Sequence, residues 1–150
     1  MKRKNLLICM VLYYCLFVGM SVDITNLSLI KNGVNDGINL IPTSTITEYI
    51  VNFSSYNTSI LLKFFANFGY FVPFVALFFP YQQQSNKEYA FSNYIILFFL
   101  VFLSDFLPRI FKVGVFDIDA VLLRYLGAVM VYRILIKRKL SGEGTAYNMK

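Results

Sequence analysis

Four long apolar runs dominate this 150-residue chain, and they leave little choice of fold. They cover about residues 6–22, 60–80, 90–107 and 118–136. Each holds roughly 17–21 residues, and a helix of that length spans a hydrocarbon core of about 30 Å. Hydrophobic residues make up 57% of the chain and charged residues only 15%. A soluble domain of this size needs more polar surface than that. The expected fold class is all-α: a polytopic membrane helical bundle, a single domain with four transmembrane helices and a long first extracytoplasmic loop.

The first run, "LLICMVLYYCLFVGMSV", follows the basic "MKRK". It reads as a retained helix or as a cleaved signal peptide with "GMS" as the cleavage site. Its length and the interrupting Tyr13 and Tyr14 favour the retained helix. Cys9 and Cys15 lie about 9 Å apart along such a helix, too far for a disulfide. Residues 23–59 are polar, with Asn-Gly and Asp-Gly turns near Asn32 and Asp36. Within them "TITEYIVNF" reads as a short amphipathic helix on the membrane interface. Sequons at Asn26, Asn52 and Asn57 carry little weight in a chain this rich in Asn, Ser and Thr. In the second run Lys63 snorkels to the interface and Pro73 kinks the helix. "YQQQSNKEY" (81–89) is a polar turn edged by tyrosines, and Pro108 closes the third run.

A net charge of +6 raises the question of nucleic acid. The basic residues sit beside the apolar runs at the two chain ends, as membrane anchors do, so no nucleic-acid partner is expected. With both ends cytoplasmic, Lys2, Arg3, Lys4, Lys87, Arg133, Lys137, Arg138, Lys139 and Lys150 lie inside. Only Lys31, Lys63, Arg109, Lys112 and Arg124 then lie outside or in the outer half. This asymmetry predicts a multi-pass plasma-membrane protein with N-in and C-in topology. The chain has no histidine and no Cys-x-x-Cys pair. No zinc, haem or other cofactor is expected, and the usual general base is missing.

The fourth run, "FDIDAVLLRYLGAVMVY", carries Asp117, Asp119 and Arg124. Asp117 suits an N-cap and Asp119 the first turn, which would explain both without any function. Arg124 lies seven residues after Asp117, about two turns deeper on nearly the same face. At that depth an arginine costs about 2–3 kcal/mol on insertion scales. Asp105, near the end of the third run, and Asp117 are its candidate partners. One reading is a structural ion pair that pins runs three and four. The other is an outward polar pocket shaped by that pair.

Three motifs in order resemble the VanZ-like family. "INLIPT" (38–43) is similar to its Asn-Leu-Ile-Pro motif. "ANFGYFVPF" (66–74) is similar to its Asn followed six residues later by Pro. "SDFLPRIFKVGVFDIDAVLLRYLGAVMVY" (104–132) is similar to its last motif. The family usually has Glu at the position of Asp105, Gln at Pro108, Asp at Ala120 and Asn at Arg124. The resemblance implies a candidate pocket of Asn39, Pro42, Asn67, Asp105, Asp117, Asp119 and Arg124, with no catalytic residue and no metal ligand. Asn39 and Pro42 are expected to fold the first loop back onto this cluster.

The namesake of the family is associated with reduced susceptibility to teicoplanin, a lipoglycopeptide. The resemblance implies a small polytopic membrane protein; the outward polar cluster, with no histidine, serine nucleophile motif or Gly-rich phosphate loop, makes a non-enzymatic protein acting at the outer leaflet the expectation. Its partners would be membrane lipids and a lipid-linked cell-wall precursor or lipoglycopeptide. Arg124 would meet a phosphate or carboxylate, and the aspartates ammonium groups. Two alternatives stay open. One is a membrane enzyme using Asp105, Asp117 and Asp119 on a lipid-linked substrate. The other is an accessory or immunity subunit. "LGAV" (126–129) offers one close-packing patch.

Overall fold

The second apolar run is two helices rather than one kinked helix. The computed structural model describes residues 2–20, 38–39, 47, 50–51, 58–111, 113–114 and 116–147. Its elements are α1 (Arg3–Met20), β1 (Ile38–Asn39), α2 (Thr58–Gly69), α3 (Val72–Gln83), α4 (Ser92–Ile110), β2 (Phe116–Asp117) and α5 (Ile118–Tyr147). Tyr70 and Phe71 form the turn between α2 and α3. Pro73 sits in the first turn of α3. There its missing N–H has no intrahelical acceptor to lose, so it starts a helix instead of bending one.

Other boundaries also differ from expectation. Pro108 lies inside α4, which runs on to Ile110. A proline near a helix end removes a single ladder bond. Here the amides of Phe111 and Val113 close the end on the carbonyls of Leu107 and Pro108, at 3.3 and 2.9 Å. α5 extends to Tyr147, well past residue 136. The basic stretch after Ile136 ends the apolar run but not the helix, because Lys, Arg and Leu are good helix formers. The fold is not purely helical either. Ile38–Asn39 pairs in parallel with Phe116–Asp117. Of "TITEYIVNF" only Thr47, Ile50 and Val51 are described, all helical, with Ile50 and Val51 exposed. Asn26, Asn52, Asn57 and the side chain of Lys63 lie outside the described residues.

Side-chain contacts fix the helix directions. Phe17, late in α1, meets Tyr70 and Phe71 edge-on at 5.1 and 5.0 Å. Arg3, at its start, donates to the Tyr81 hydroxyl at 3.4 Å. α1 is therefore antiparallel to α3. Asn93 and Asp105 of α4 bond Tyr132 and Arg124 of α5, so these two are also antiparallel. α2 and α3 run alongside α5, with Phe68 against Gly127 and Phe79 against Tyr132. The result is an up-down-up-down bundle in which α5 touches α2, α3 and α4.

Gly127 is what lets α2 approach. A Cβ built there would lie 2.0 Å from the Phe68 carbonyl oxygen. Two backbones thus meet with no side chain between them, as small residues allow at close helix crossings.

The distribution of polarity is inverted. Leu7, Ile8, Val11, Leu12 and Leu16 of α1 are exposed, while Leu6, Met10 and Phe17 face inward. Tyr13 and Tyr14 also reach inward, donating to the carbonyls of Tyr70 (2.6 Å) and Leu100 (3.0 Å). Gln82, Glu88, Asn93, Ser104, Asp105 and Asp119 are buried. Phe64–Gln83 and Ser92–Ile110 are each long and apolar enough to cross a membrane. Cys9 and Cys15 are free thiols.

The turn between α3 and α4 is held by a polar clasp. The Gln82 amide donates to Asn93 Oδ1 at 2.8 Å. Asn93 Nδ2 donates to the Lys87 carbonyl (2.6 Å) and to the Tyr132 hydroxyl (2.7 Å). That hydroxyl donates in turn to the Glu88 carbonyl at 2.6 Å. Lys139 pairs with the Glu88 carboxylate. Its hydrogen bond holds that carboxyl below the usual carboxylate range. Asn86 takes a left-handed backbone (φ 51°), which asparagine tolerates in a tight turn.

Candidate functional site

The opposite end of the bundle is built around Arg124. Ile118 begins α5, and Asp117 caps it: the Asp119 amide donates to Asp117 Oδ1 at 3.0 Å. This is the bond an N-cap carboxylate makes to the second helical amide. Two turns on, Arg124 points between α2 and α4. Its Nη1 pairs with Asp105. Its Nε and Nη2 both donate to Asn67 Oδ1, at 3.1 and 2.9 Å. The Phe17 and Tyr70 rings lie 5.5 and 5.4 Å from the guanidinium carbon. A planar, weakly hydrated cation suits such a cradle of aromatic faces and amide oxygen.

The pair is sheltered. The side chain of Arg124 keeps 14% of its surface exposed and that of Asp105 only 5%. A pair like this is retained only where hydrogen bonds satisfy the remaining groups. Arg124 bonds through all three of its nitrogens, to Asp105 and Asn67. Asp105 does not meet that condition, because its second oxygen, Oδ2, is buried without a hydrogen-bond partner. Asp117 is close enough for its charge to act on Asp105. Asp119 is fully buried.

The structure thus brings Asn67, Asp105 and Arg124 into direct contact. It sets Asp117 and Asp119 at the head of the same helix. Asn39 pairs in register with Asp117, a strand separation of about 4.8 Å. The first loop therefore does return to the cluster at this point. Pro42 lies outside the described residues. Phe17 and Tyr70, whose edge-on ring pair lies against the guanidinium, were absent from the sequence-derived set. Tyrosines and phenylalanines scattered through apolar runs give no hint of which one faces a cation.

The arrangement limits the chemistry on offer. With Asp105 and Asn67 as partners and the Phe17–Tyr70 ring pair against it, the guanidinium already makes three hydrogen bonds within the protein. It is poorly placed to receive a phosphate or carboxylate. At this end Asp105 Oδ2 still lacks a donor, as Glu88 Oε2 and Ser85 Oγ do at the turn end, and a carboxylate oxygen accepts hydrogen bonds and attracts cations. Among the described residues no group of three or more His, Cys, Asp or Glu is arranged to hold a metal.

No curated protein and no solved structure matches the chain. The Asn67, Asp105, Asp117 and Arg124 positions, the returning Ile38–Asn39 strand and nearly all of the bundle that carries them fall within residues 5–139, which match VanZ/LLP1, and the chain belongs to that family.

Proposed function

We propose that this VanZ/LLP1-family chain is a four-span bacterial plasma-membrane protein with both termini cytoplasmic. Its Arg124 end faces outward and binds a cell-envelope ligand without catalysing a reaction. The inverted polarity of the bundle supports the spans, since aliphatic side chains cover its outside. The contacts of Arg3 with Tyr81 and of Lys139 with Glu88 gather basic residues at the end assigned to the cytoplasm.

The single observation that carries the ligand reading is the unpartnered Asp105 oxygen beside an Arg124 already bonded to Asp105 and Asn67. A buried carboxylate oxygen without a donor calls for an explanation, and at the outward end a ligand's donor supplies one. With Asp117 nearby, the site favours an ammonium or amide N–H over an anion. Lipoglycopeptides and lipid-linked wall precursors both present such donors. Sequestering or shielding them at the outer leaflet would lower susceptibility to drugs such as teicoplanin.

The test is expression in a susceptible host with a panel comparing teicoplanin and vancomycin. Asp117→Asn and Asp119→Asn keep a helix-start residue but remove a charge. Both are expected to accumulate normally and to lose a teicoplanin-specific shift. A shift equal to wild type in both variants, or no shift with the wild-type protein, would defeat this reading.

A further inference from the structure

A second site lies on the lipid-facing side of the bundle, away from the Arg124 cluster. α4 and α5 diverge there to leave a cleft of about 270 Å³, lined by Phe91, Tyr94, Ile95, Tyr125, Leu126, Val129 and Arg133. On α5 Tyr125, Val129 and Arg133 recur every four positions, with Leu126 beside the first, so they form one stripe that ends in a cation. Tyr125 and Phe98 meet edge-on at 5.4 Å and close the deep end. Arg133 stands at the shallow end, its guanidinium carbon 6.0 Å from the centre of the Tyr94 ring. Arg133 is exposed and makes no ion pair among the described residues. Lys137 follows one turn later on the same stripe, toward the Lys139–Glu88 end.

We infer that this cleft binds one anionic glycerophospholipid, with its headgroup phosphate on Arg133 and an acyl chain along the aromatic and aliphatic floor. Tyr125 and Arg133 are about 12 Å apart along the helix. One leaflet's share of a 30 Å core is about 15 Å. The cleft therefore runs along most of a leaflet, with its cation at headgroup level. An apolar channel topped by a free guanidinium complements a lipid of negative headgroup, and basic pockets between spanning helices bind such headgroups elsewhere. A second copy of the chain would cover the apolar floor but would have to supply its own anion to Arg133. The inference uses the reading that α4 and α5 span the bilayer. It does not depend on which way they face or on the Arg124 site.

The experiment reconstitutes the full chain in phosphatidylcholine vesicles with trace spin-labelled phosphatidylglycerol or spin-labelled phosphatidylcholine. Electron paramagnetic resonance then reads the motionally restricted fraction. Wild type is expected to restrict the glycerol lipid with about fivefold higher relative affinity, the factor for about 1 kcal/mol per basic residue. Arg133→Gln should bring the two lipids level, and Arg133→Lys should keep most of the preference. Val129→Phe, which fills the cleft, should lower the restricted fraction for the glycerol lipid. Equal restriction of both lipids by wild type, or an undiminished preference in Arg133→Gln, would overturn the inference. So would efficient self-crosslinking of Leu126→Cys in a chain whose Cys9 and Cys15 are replaced by serine, since a second copy would then occupy the cleft. Alkaline extraction of the same vesicles reports separately on whether the chain spans them.

Discussion

The two ends of the bundle solve the same problem differently. Each places charged and amide side chains under cover. At the turn end, Gln82, Lys87, Glu88 and Asn93 are near neighbours in the chain, and α5 adds Tyr132 and Lys139. Most of these bonds join neutral groups; the Lys139 side chain keeps 26% of its surface exposed, while the Glu88 side chain keeps 4% and its Oε2 has no donor. At the Arg124 end, residues 67, 105 and 124 come from three helices, and the cation sits deeper while the carboxylate is buried about equally. The turn end closes a tight connection that the chain must make anyway. The Arg124 end holds a sheltered charge where no local chain geometry requires one. Structural necessity explains the first, and the second is the place to look for selection by a ligand.

The sharpest way to break this contrast is at Arg124. Arg124→Leu strands Asp105 without its counter-charge and should cost about 3–5 kcal/mol. The double change Arg124→Leu with Asp105→Asn should recover most of that loss, read as thermal stability of the detergent-purified protein and as accumulation in the membrane. If the double variant is no better than the single one, the pair is not the dominant interaction. Next in size is Gly127→Ala, whose methyl would meet the Phe68 carbonyl. Forcing α2 and α5 apart should cost about 1–3 kcal/mol. It should also loosen Asn67 from Arg124, so its cost should shrink when combined with Asn67→Ala.

At the turn end, Tyr132→Phe removes one hydroxyl that serves both Asn93 and Glu88. Melting should report a loss of about 1–2 kcal/mol from the stranded partners. A loss as large as that of Arg124→Leu would erase the distinction between the ends. The smallest effect concerns pH. Because the Glu88 carboxyl is held below its usual range, the Glu88–Lys139 contribution is fully present above the ordinary carboxylate pKa. It is lost as pH falls through the lower folded value. Glu88→Gln should therefore flatten part of the acid-side fall in stability and leave the alkaline side unchanged.

Much of the helical frame was legible in the sequence because apolar run length and capping residues are local signals. Asp117 as the α5 cap and Asp105 as partner to Arg124 could be reached from spacing, and Asn67 from its motif's resemblance to the family. The break at Tyr70–Phe71 could not, because proline tells only that a helix is interrupted or begun nearby. The turn-end clasp was read as ordinary interfacial polarity. Gln82, Asn93 and Tyr132 look like turn and anchor residues until helices forty positions apart are packed together. The same holds for Tyr13 and Tyr14. They interrupt an apolar run, and only the bundle reveals the carbonyls they serve. "LGAV" suggested a close contact without saying with what, and Phe68 is the answer for Gly127.

The spacing of the Arg124 pair has a consequence for how the chain is made. Asp105 and Arg124 lie on consecutive helices, joined by a short connector and antiparallel to one another. A ribosome releases them within a few seconds of each other, at the ordinary pace of about 5–20 residues per second. In the proposed four-span topology, α4 and α5 can thus enter the bilayer together as a hairpin whose two opposite charges already face each other. Neither helix need cross with an isolated ion, which for either residue at a helix centre costs about 2.5–3.5 kcal/mol. Asn67 belongs to an earlier hairpin and would be waiting when the guanidinium arrives. Biogenesis, and not only the finished fold, would then constrain which residue stands at 124 and how far behind 105 it follows.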